Sequence, residues 1–368
     1  MTNAYRDEAD ALDAEILGII AAWADSGVDF DFGDLAFRIF DHQMRFNEPY
    51  ARYCKSLGVT SSPQLRRWQD VPPVPAGAFK EAALCTFEPA RAALTFETSG
   101  TTTGAGGIHY MESTRLYDAS LLAGFESALL RDAPDPLRYC MLLPSPEQNP
   151  RSSLSYMMDC VAKVFGDQTH SWYVEGDRLE TARLIGDVRE ARKAGTPLCI
   201  AGTAFAFVNL LDELARRESQ ISLSLPPGSR MMETGGFKGR ARVIERGELY
   251  KRLASLFGLP EDRIVGEYGM TELATQYYDA SLGETRRKNA PPWLRSYAID
   301  RDGRRLPPGV VGALVHVDLA NRSSCVAIQT EDLGAVFEDG GLALVGRERG
   351  AELRGCSLDA ESLRAAVL

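Results

Sequence analysis

Residues 97–104 read ETSGTTTG, which gathers Ser99, Thr101, Thr102 and Thr103 around Gly100 and Gly104. Glycines permit unusual φ angles and close backbone approach, and backbone N–H groups with hydroxyls can ring a phosphate. An ordinary polar turn uses the same residues. The string has neither the Gly-Lys-Ser/Thr ending of a Walker A loop nor the spacing of a dinucleotide fingerprint, so its meaning depends on what accompanies it.

Three further strings are candidates of the same kind. In GEYGMTE (266–272), Tyr268 can stack on a flat base, Thr271 can donate to a phosphate and Glu272 can hold Mg2+ through oxygen; Glu267 and Gly269 belong to the same string. The plainer reading is a strand-to-helix turn with Thr271 as the N-cap. TEDLG (330–334) puts Asp332 at a turn, where it can accept hydrogen bonds from a ribose diol or simply close a hairpin. GRERG (346–350) offers Arg347 as a partner for an anion or a ribose hydroxyl, or as part of a solvated charge run. His109, close behind the first loop, is a candidate for lining a carboxylate pocket, and at least equally a packed or surface histidine.

These strings need elements to hold them. Leu12, Ile16, Ile19 and Ile20 recur at helical spacing, and a second amphipathic segment runs from about Asp34 to Leu57, where SSPQ breaks it. DVPPVPAGAFKEAAL is a Pro-rich connector with fixed φ angles. From about residue 92, strand-like runs (AALTFET, LRYCMLLP, TPLCIAG, SRMMETGG, RIVGEYG) alternate with helical stretches, the pattern of an α/β fold with a largely parallel sheet. Such a sheet binds ligands at the carboxyl ends of its strands. TSGTTTG, ETGG and EYGMTE each follow a strand-like run, which predicts three polar loops at one edge. After about residue 300, GALVHVDL, CVAIQTEDLG, AVFED and LALVGR predict a small antiparallel β subdomain. The expected organisation is a helical N-terminal cap and connector over 1–80, an α/β core over 81–299, the β subdomain over 300–347, and a tail over 348–368 that carries Cys356.

The formal charge of −10 over 368 residues argues against a nucleic-acid or anionic-membrane surface. Seven scattered cysteines with no CxxC pair, beside only four histidines, argue against zinc and fit reduced thiols. The N-terminus is too acidic for a secretory signal, and no apolar run approaches the ~20 residues of a membrane span. A soluble cytoplasmic protein is expected.

In their order, a hydroxyl/Gly loop, YGMTE, TEDLG and a Gly-Arg closing a β subdomain, the motifs resemble the adenylate-forming superfamily of acyl- and aryl-CoA ligases and adenylation domains over about residues 92–350. LPPGVVGALVHV resembles that superfamily's lead-in to its β subdomain. The chain is most similar to the LuxE-type acyl-protein synthetases, on PPVPAGAFKE, GGFK (235–238), RGCSL (354–358) and its short length. The resemblance implies an adenylate-forming large domain with ATP and Mg2+ as cofactors, in which the mobile C-terminal domain of the large ligases is largely absent. By position it implies that Ser99, Gly100 and Thr101–Thr103 cradle the ATP phosphates and that Gly235, Gly236 and Tyr268 frame the adenine. Thr271 then approaches the α-phosphate, Glu272 binds Mg2+, and Asp332 and Arg347 hold the ribose.

TTTGAGGIHY lacks the lysine usual in the phosphate loop of CoA ligases, and the late lysine of their C-terminal domain has no counterpart. Lys238 or Arg347 is expected to compensate, or adenylation to be weak. The implied reaction activates a carboxylic acid, fatty or otherwise, as acyl-AMP and transfers the acyl group to a thiol. Cys356 matches the acylated cysteine of the LuxE-type enzymes, with Arg349 and Arg354 near in sequence to favour its thiolate; an unreactive cysteine in a packed turn is the other reading. The acting residues are thus expected to be Cys356, Thr271, Lys238 and His109. The expected partner is an acyl-accepting protein, a reductase or a carrier. Two alternatives remain: a biosynthetic ligase with a carrier-protein, CoA or amine acceptor, and a non-catalytic scaffold subunit.

Overall fold

The computed structural model describes residues 3–25, 28–98, 106–134, 137–167, 169–216, 223–235, 244–281 and 286–347. These residues form a mixed α/β fold that divides into two compact units. The first takes the described residues within Met1–Ala123, Met270–Gln276 and Arg287–Leu368; the second takes those within Gly124–Gly269 and Tyr277–Arg286.

In the first unit, the periodic apolar residues of the N-terminus form α1 (Asn3–Asp25), with Leu12, Ile16, Ile19 and Ile20 all buried. The second amphipathic segment is two helices, α2 (Phe32–Phe46) and α3 (Glu48–Ser56). Asn47 makes the break. Its side-chain oxygen accepts from Tyr50 N at 3.2 Å as the cap of α3, and its amide donates to the Ser324 carbonyl at 3.1 Å. Pro49 then sits in the first turn of α3, where no intrahelical donor is needed.

The Pro-rich connector is tied down: the Tyr50 and Tyr53 hydroxyls donate to the Pro72 and Pro73 carbonyls at 2.8 and 3.1 Å. Val74–Pro75 adds in parallel to Ile328–Gln329. Strands Leu294–Ile299, Val311–Asp318, Ala327–Val336 and Leu342–Arg347 pair antiparallel in that order. The expected cap and β subdomain therefore share one unit, because the connector extends the antiparallel sheet and Arg322 is ion-paired with Asp13 of α1.

Asp332 is not at a turn, as TEDLG suggested. Ala327–Val336 is one continuous strand, and its register against Leu342–Arg347 shifts between Leu333 and Gly334. A β-bulge absorbs the polar, Gly-containing string without ending the strand. The backbones come so close there that a Cβ on Gly334 would lie 2.7 Å from the Ala343 carbonyl oxygen.

In the second unit, Ser171–Trp172, Arg138–Leu142, Leu198–Thr203, Arg230–Thr234 and Ile264–Tyr268 are parallel neighbours in that order, and Tyr277–Ser281 closes the row antiparallel. Helices Thr181–Ala194, Ala204–Ala215 and Arg246–Phe257 cover the sheet, burying Leu184, Val188, Phe207, Leu210, Leu253 and Phe257 against Ile200 and Met231. Leu94–Glu97 is not part of this sheet. It pairs antiparallel with Ile108–Met111 in a two-stranded hairpin of the first unit. Of the three loops expected at one sheet edge, only those after Arg230–Thr234 and Ile264–Tyr268 follow neighbouring parallel strands. A hairpin needs no crossover helix, and the four residues IHYM supply the partner strand.

Among the described residues no helix is long and apolar enough to cross a membrane. Burial holds three histidines neutral. His42 is pushed down to about 3 by desolvation, then by the Arg322 and Arg45 charges. His109 and His316 are pushed down to about 4 by desolvation, against the opposing effects of the Thr271 hydrogen bond and the Asp332 charge. Each has its full stabilising effect above the unfolded pKa of about 6.5, and that effect is lost as pH falls toward the folded value. Burial raises Asp318 from 3.8 to about 6, which works the other way between those values. Three groups oppose one, so the thermal midpoint is expected to fall steadily from pH 6.5 to 4.5 in a differential scanning fluorimetry series; a flat profile contradicts this balance.

Candidate active site

The stem of the ETSGTTTG loop closes where Thr98 N donates to the Gly107 carbonyl at 2.9 Å and Gly107 N donates to Thr98 Oγ1 at 2.7 Å. Two glycines make that approach possible. A Cβ on Gly106 would lie 2.3 Å from the Thr98 carbonyl oxygen, and one on Gly107 would lie 3.1 Å from Phe79 Cβ. Phe79 comes from the Pro-rich connector, which thus backs the stem. Ser99, Gly100, Thr101, Thr102 and Thr103 themselves lie outside the described residues.

His109 follows on the returning strand. It is buried, its ring meets Phe79 edge-on at 5.7 Å, and its Nδ1 is 2.8 Å from the Thr271 carbonyl oxygen. A carbonyl only accepts, so Nδ1 carries the proton. The ring is neutral at pH 7, because desolvation lowers its pKa. Two expected site residues thereby meet, and His109 acts on Thr271 through the main chain.

No helix follows Thr271, so it is not an N-cap; a turn leads into strand Tyr277–Ser281. That turn is gripped along its length within the first unit. Asn321 Nδ2 donates to the Glu272 carbonyl at 2.9 Å. Asp318 accepts from Ala274 N at 3.0 Å and from the Thr275 hydroxyl at 2.8 Å. Trp293 Nε1 donates to Thr275 Oγ1 at 3.1 Å and to Ser120 Oγ at 2.9 Å. No motif of the sequence points to Asn321, Asp318 or Trp293; the one available signal is an Asp at a strand end, capping the short Leu319–Asn321 turn through Ala320 N. Glu272 is buried, and among the described residues no three His, Cys, Asp or Glu side chains gather as a metal cage. One hard carboxylate oxygen donor fits the way Mg2+ is held, by one or two carboxylates together with substrate phosphates.

In the second unit, Tyr268 ends its strand half-buried, with its ring 5.6 Å from that of Tyr277. Glu267 is buried and accepts from the Thr234 hydroxyl across the two parallel strands. Gly235 follows Thr234 at φ +79°, a left-handed position that favours glycine, and it is exposed, as is Gly269. Beneath them, the Tyr250 hydroxyl donates to Glu233 at 2.7 Å, with Arg246 3.4 Å from the same carboxylate. Gly236 and Lys238 lie outside the described residues.

The two residues expected at the ribose are brought together: Asp332 and Arg347 are direct cross-strand partners. Asp332 is buried, and its N–H donates to Thr330 Oγ1 at 3.1 Å. Cys356 lies outside the described residues.

A family model described as "Acyl-protein synthetase, LuxE" matches residues 32–364. None of the curated proteins compared matches the chain. Among solved structures, ATP-bound MatB from Rhodopseudomonas palustris is 14% identical, with a TM-score of 0.49 over 71% of this chain and 49% of that one. The acyl-CoA synthetase of Brucella canis is 16% identical, with a TM-score of 0.49 over 72% and 46%. O-succinylbenzoate coenzyme A synthetase (MenE) from Bacillus subtilis, in complex with AMP, is 18% identical, with a TM-score of 0.45 over 71% and 50%. The chain spans about half the length of these solved structures.

Proposed function

The chain belongs to the LuxE acyl-protein synthetase family, and from that premise we propose that it activates a carboxylic acid with ATP and passes the acyl group to a protein thiol. The carboxylate oxygen attacks the α-phosphorus, pyrophosphate leaves, and the resulting acyl-adenylate loses AMP when a thiolate attacks its acyl carbon. Bound Mg2+ neutralises charge that develops on the leaving pyrophosphate. In this reading the hydroxyls and amides of 99–103 receive the phosphates, Thr271 donates to the α-phosphate and Glu272 is the metal carboxylate. Asp332 and Arg347 take the ribose hydroxyls; Gly235, Gly236, Tyr268 and Gly269 border the adenine. Lys238 offers the cation that the phosphate loop lacks. Glu267 shapes the second unit's strand ends from below.

The observation that carries the reading is the grip on the Thr271–Glu272 turn. His109 and Asn321 hold consecutive main-chain carbonyls at 2.8 and 2.9 Å, which fixes the backbone that carries Thr271 and Glu272. Preorganised donors and charges of this kind stabilise developing charge without reorganisation. Cys356 is the proposed acceptor, with a reductase or a carrier protein as the next acyl carrier, in the reducing cytoplasm. Free thiols at all six described cysteines suit that compartment.

The test is pyrophosphate exchange that requires ATP, Mg2+ and a carboxylate, followed by intact-mass measurement of wild type and Cys356→Ala. A hydroxylamine-labile acyl adduct that disappears in the variant supports the thioester. An unchanged adduct moves the acceptor elsewhere, and no exchange across a broad panel of acids removes the enzyme reading. Gly106→Ala provides a separate check on the loop. Its methyl collides with the Thr98 carbonyl at 2.3 Å, so the stem must open. The kcat/KM for ATP is expected to fall about tenfold through misplacement of the bound phosphates. Wild-type kinetics in this variant would argue that the stem does not present a nucleotide loop.

A further inference from the structure

We propose that Asp13, on the N-terminal helix α1, is a positioning residue for the Thr271–Glu272 turn, acting through Arg322 and Asn321; the catalytic part of this inference rests on the adenylation reading above. α1 lies N-terminal to the stretch that matches the family model, residues 32–364.

The contacts form an unbroken line inside the first unit. Asp13 accepts twice from the Arg322 guanidinium, Nε at 2.7 Å and Nη2 at 2.9 Å, a bidentate geometry that fixes orientation as well as distance. Arg322 is only 3% exposed, so the pair is shielded from solvent. Its remaining nitrogen donates to Glu112 at 3.0 Å. Arg322 directly follows the one-turn segment Leu319–Asn321, and Gln43 Nε2 donates to the Asn321 and Arg322 carbonyls at 3.0 and 3.1 Å. With its side chain clamped by α1 and its peptide by α2, this corner has little freedom. It presents Asn321 Nδ2 to the Glu272 carbonyl.

One cavity of about 10 Å3, room for a single water, is lined by Asp13, Arg322, Asn321, His109 and Ala274. A guanidinium released from Asp13 therefore moves against the same wall that carries His109 and the turn. Close-packed interiors transmit such shifts. An ion pair that served only to dock α1 could sit anywhere along that helix; Arg38–Glu15, which also anchors α1, is exposed and touches none of these residues.

The experiment compares Asp13→Asn, which keeps shape and removes charge, with Asp13→Glu, which keeps charge. Amide hydrogen exchange is read by mass spectrometry on peptides covering 270–276, α1 and the remote strand 198–203, and carboxylate-dependent pyrophosphate exchange is run in parallel. Asp13→Asn is expected to speed amide exchange in 270–276 about tenfold, what one hydrogen bond contributes to an equilibrium, with 198–203 unchanged. It is also expected to lower kcat about tenfold while the KM for the acid holds. Asp13→Glu is expected to restore most of both. Faster exchange confined to α1, with 270–276 and kcat at wild-type values, overturns the proposal. If Asp13→Asn does not fold, Arg322→Lys, which keeps the charge and loses the fork, must give the same exchange pattern or the proposal fails. Should wild type catalyse no pyrophosphate exchange, the adenylation reading falls, while the amide-exchange arm still decides the coupling.

Discussion

Glu272→Gln is expected to lose about 10²–10³-fold in the kcat of carboxylate-dependent pyrophosphate exchange, the range found when one preorganised charge-stabilising group is removed. The substitution isolates the charge. Glutamine has nearly the same shape, and the backbone at this residue is set by Asn321 Nδ2 on its own carbonyl and by His109 on the preceding one. The turn should therefore keep its conformation, since neither of those main-chain contacts uses the carboxylate. If Glu272 holds the metal beside the phosphates, raising Mg2+ should recover part of the rate, and affinity for the acid should not change. Exchange within about threefold of wild type would place the metal carboxylate elsewhere, because a lost hard ligand cannot be this cheap.

The parts of this protein that were legible in its sequence are those whose chemistry repeats or adjoins. Leu12, Ile16, Ile19 and Ile20 announced α1 because they share one helical face, and all four are buried. Short apolar runs announced the parallel strands from Arg138 to Tyr268. Turn chemistry misled where tertiary pairing overrode it. TEDLG has the composition of a turn, yet the neighbouring strands hold it extended around a bulge. Asn47 and Pro49 look unremarkable inside an amphipathic run, although Asn47 is committed to Ser324 and ends α2. The strand-like run before the ETSGTTTG loop points to the edge of the parallel sheet, and IHYM is too short to register as the strand that makes it a hairpin.

At the site, GMTE itself was visible, but its supports were not. Asn321 holds a main-chain carbonyl 49 residues away, and His109 one 162 residues away. A side chain that bonds a distant peptide group leaves no spacing pattern, since any residue can supply the carbonyl. The pairing of Asp332 with Arg347 was hidden for a related reason, as strand register is fixed by the sheet and not by either residue.

Arg322→Met should cost about 3–5 kcal/mol of stability, the penalty for leaving buried partners of an ion pair uncompensated. Arg322 stands between Asp13 at 2.7 Å and Glu112 at 3.0 Å, and it also donates to the Tyr5 hydroxyl at 3.3 Å. Methionine fills much of the volume and answers neither carboxylate. Against a total of roughly 5–15 kcal/mol for a native protein, that loss is large. Arg38→Met, which breaks the exposed pair with Glu15, should cost no more than about 1 kcal/mol. Urea unfolding followed by tryptophan fluorescence suits the comparison, since Trp23 of α1 and Trp293 meet edge-on at 5.2 Å and report on this unit. The pH dependence separates charge from packing. The Arg322 charge helps hold His42 well below its ordinary pKa, so removing it lets that value rise. Wild type and variant lose stability alike from about pH 6.5 down to the variant's raised folded pKa of His42; below that value only the wild type goes on losing, toward about 3. The destabilisation should therefore be smaller at pH 3.5 than at pH 8. An equal penalty at both would mean that Arg322 contributes through its packing and not through its charge.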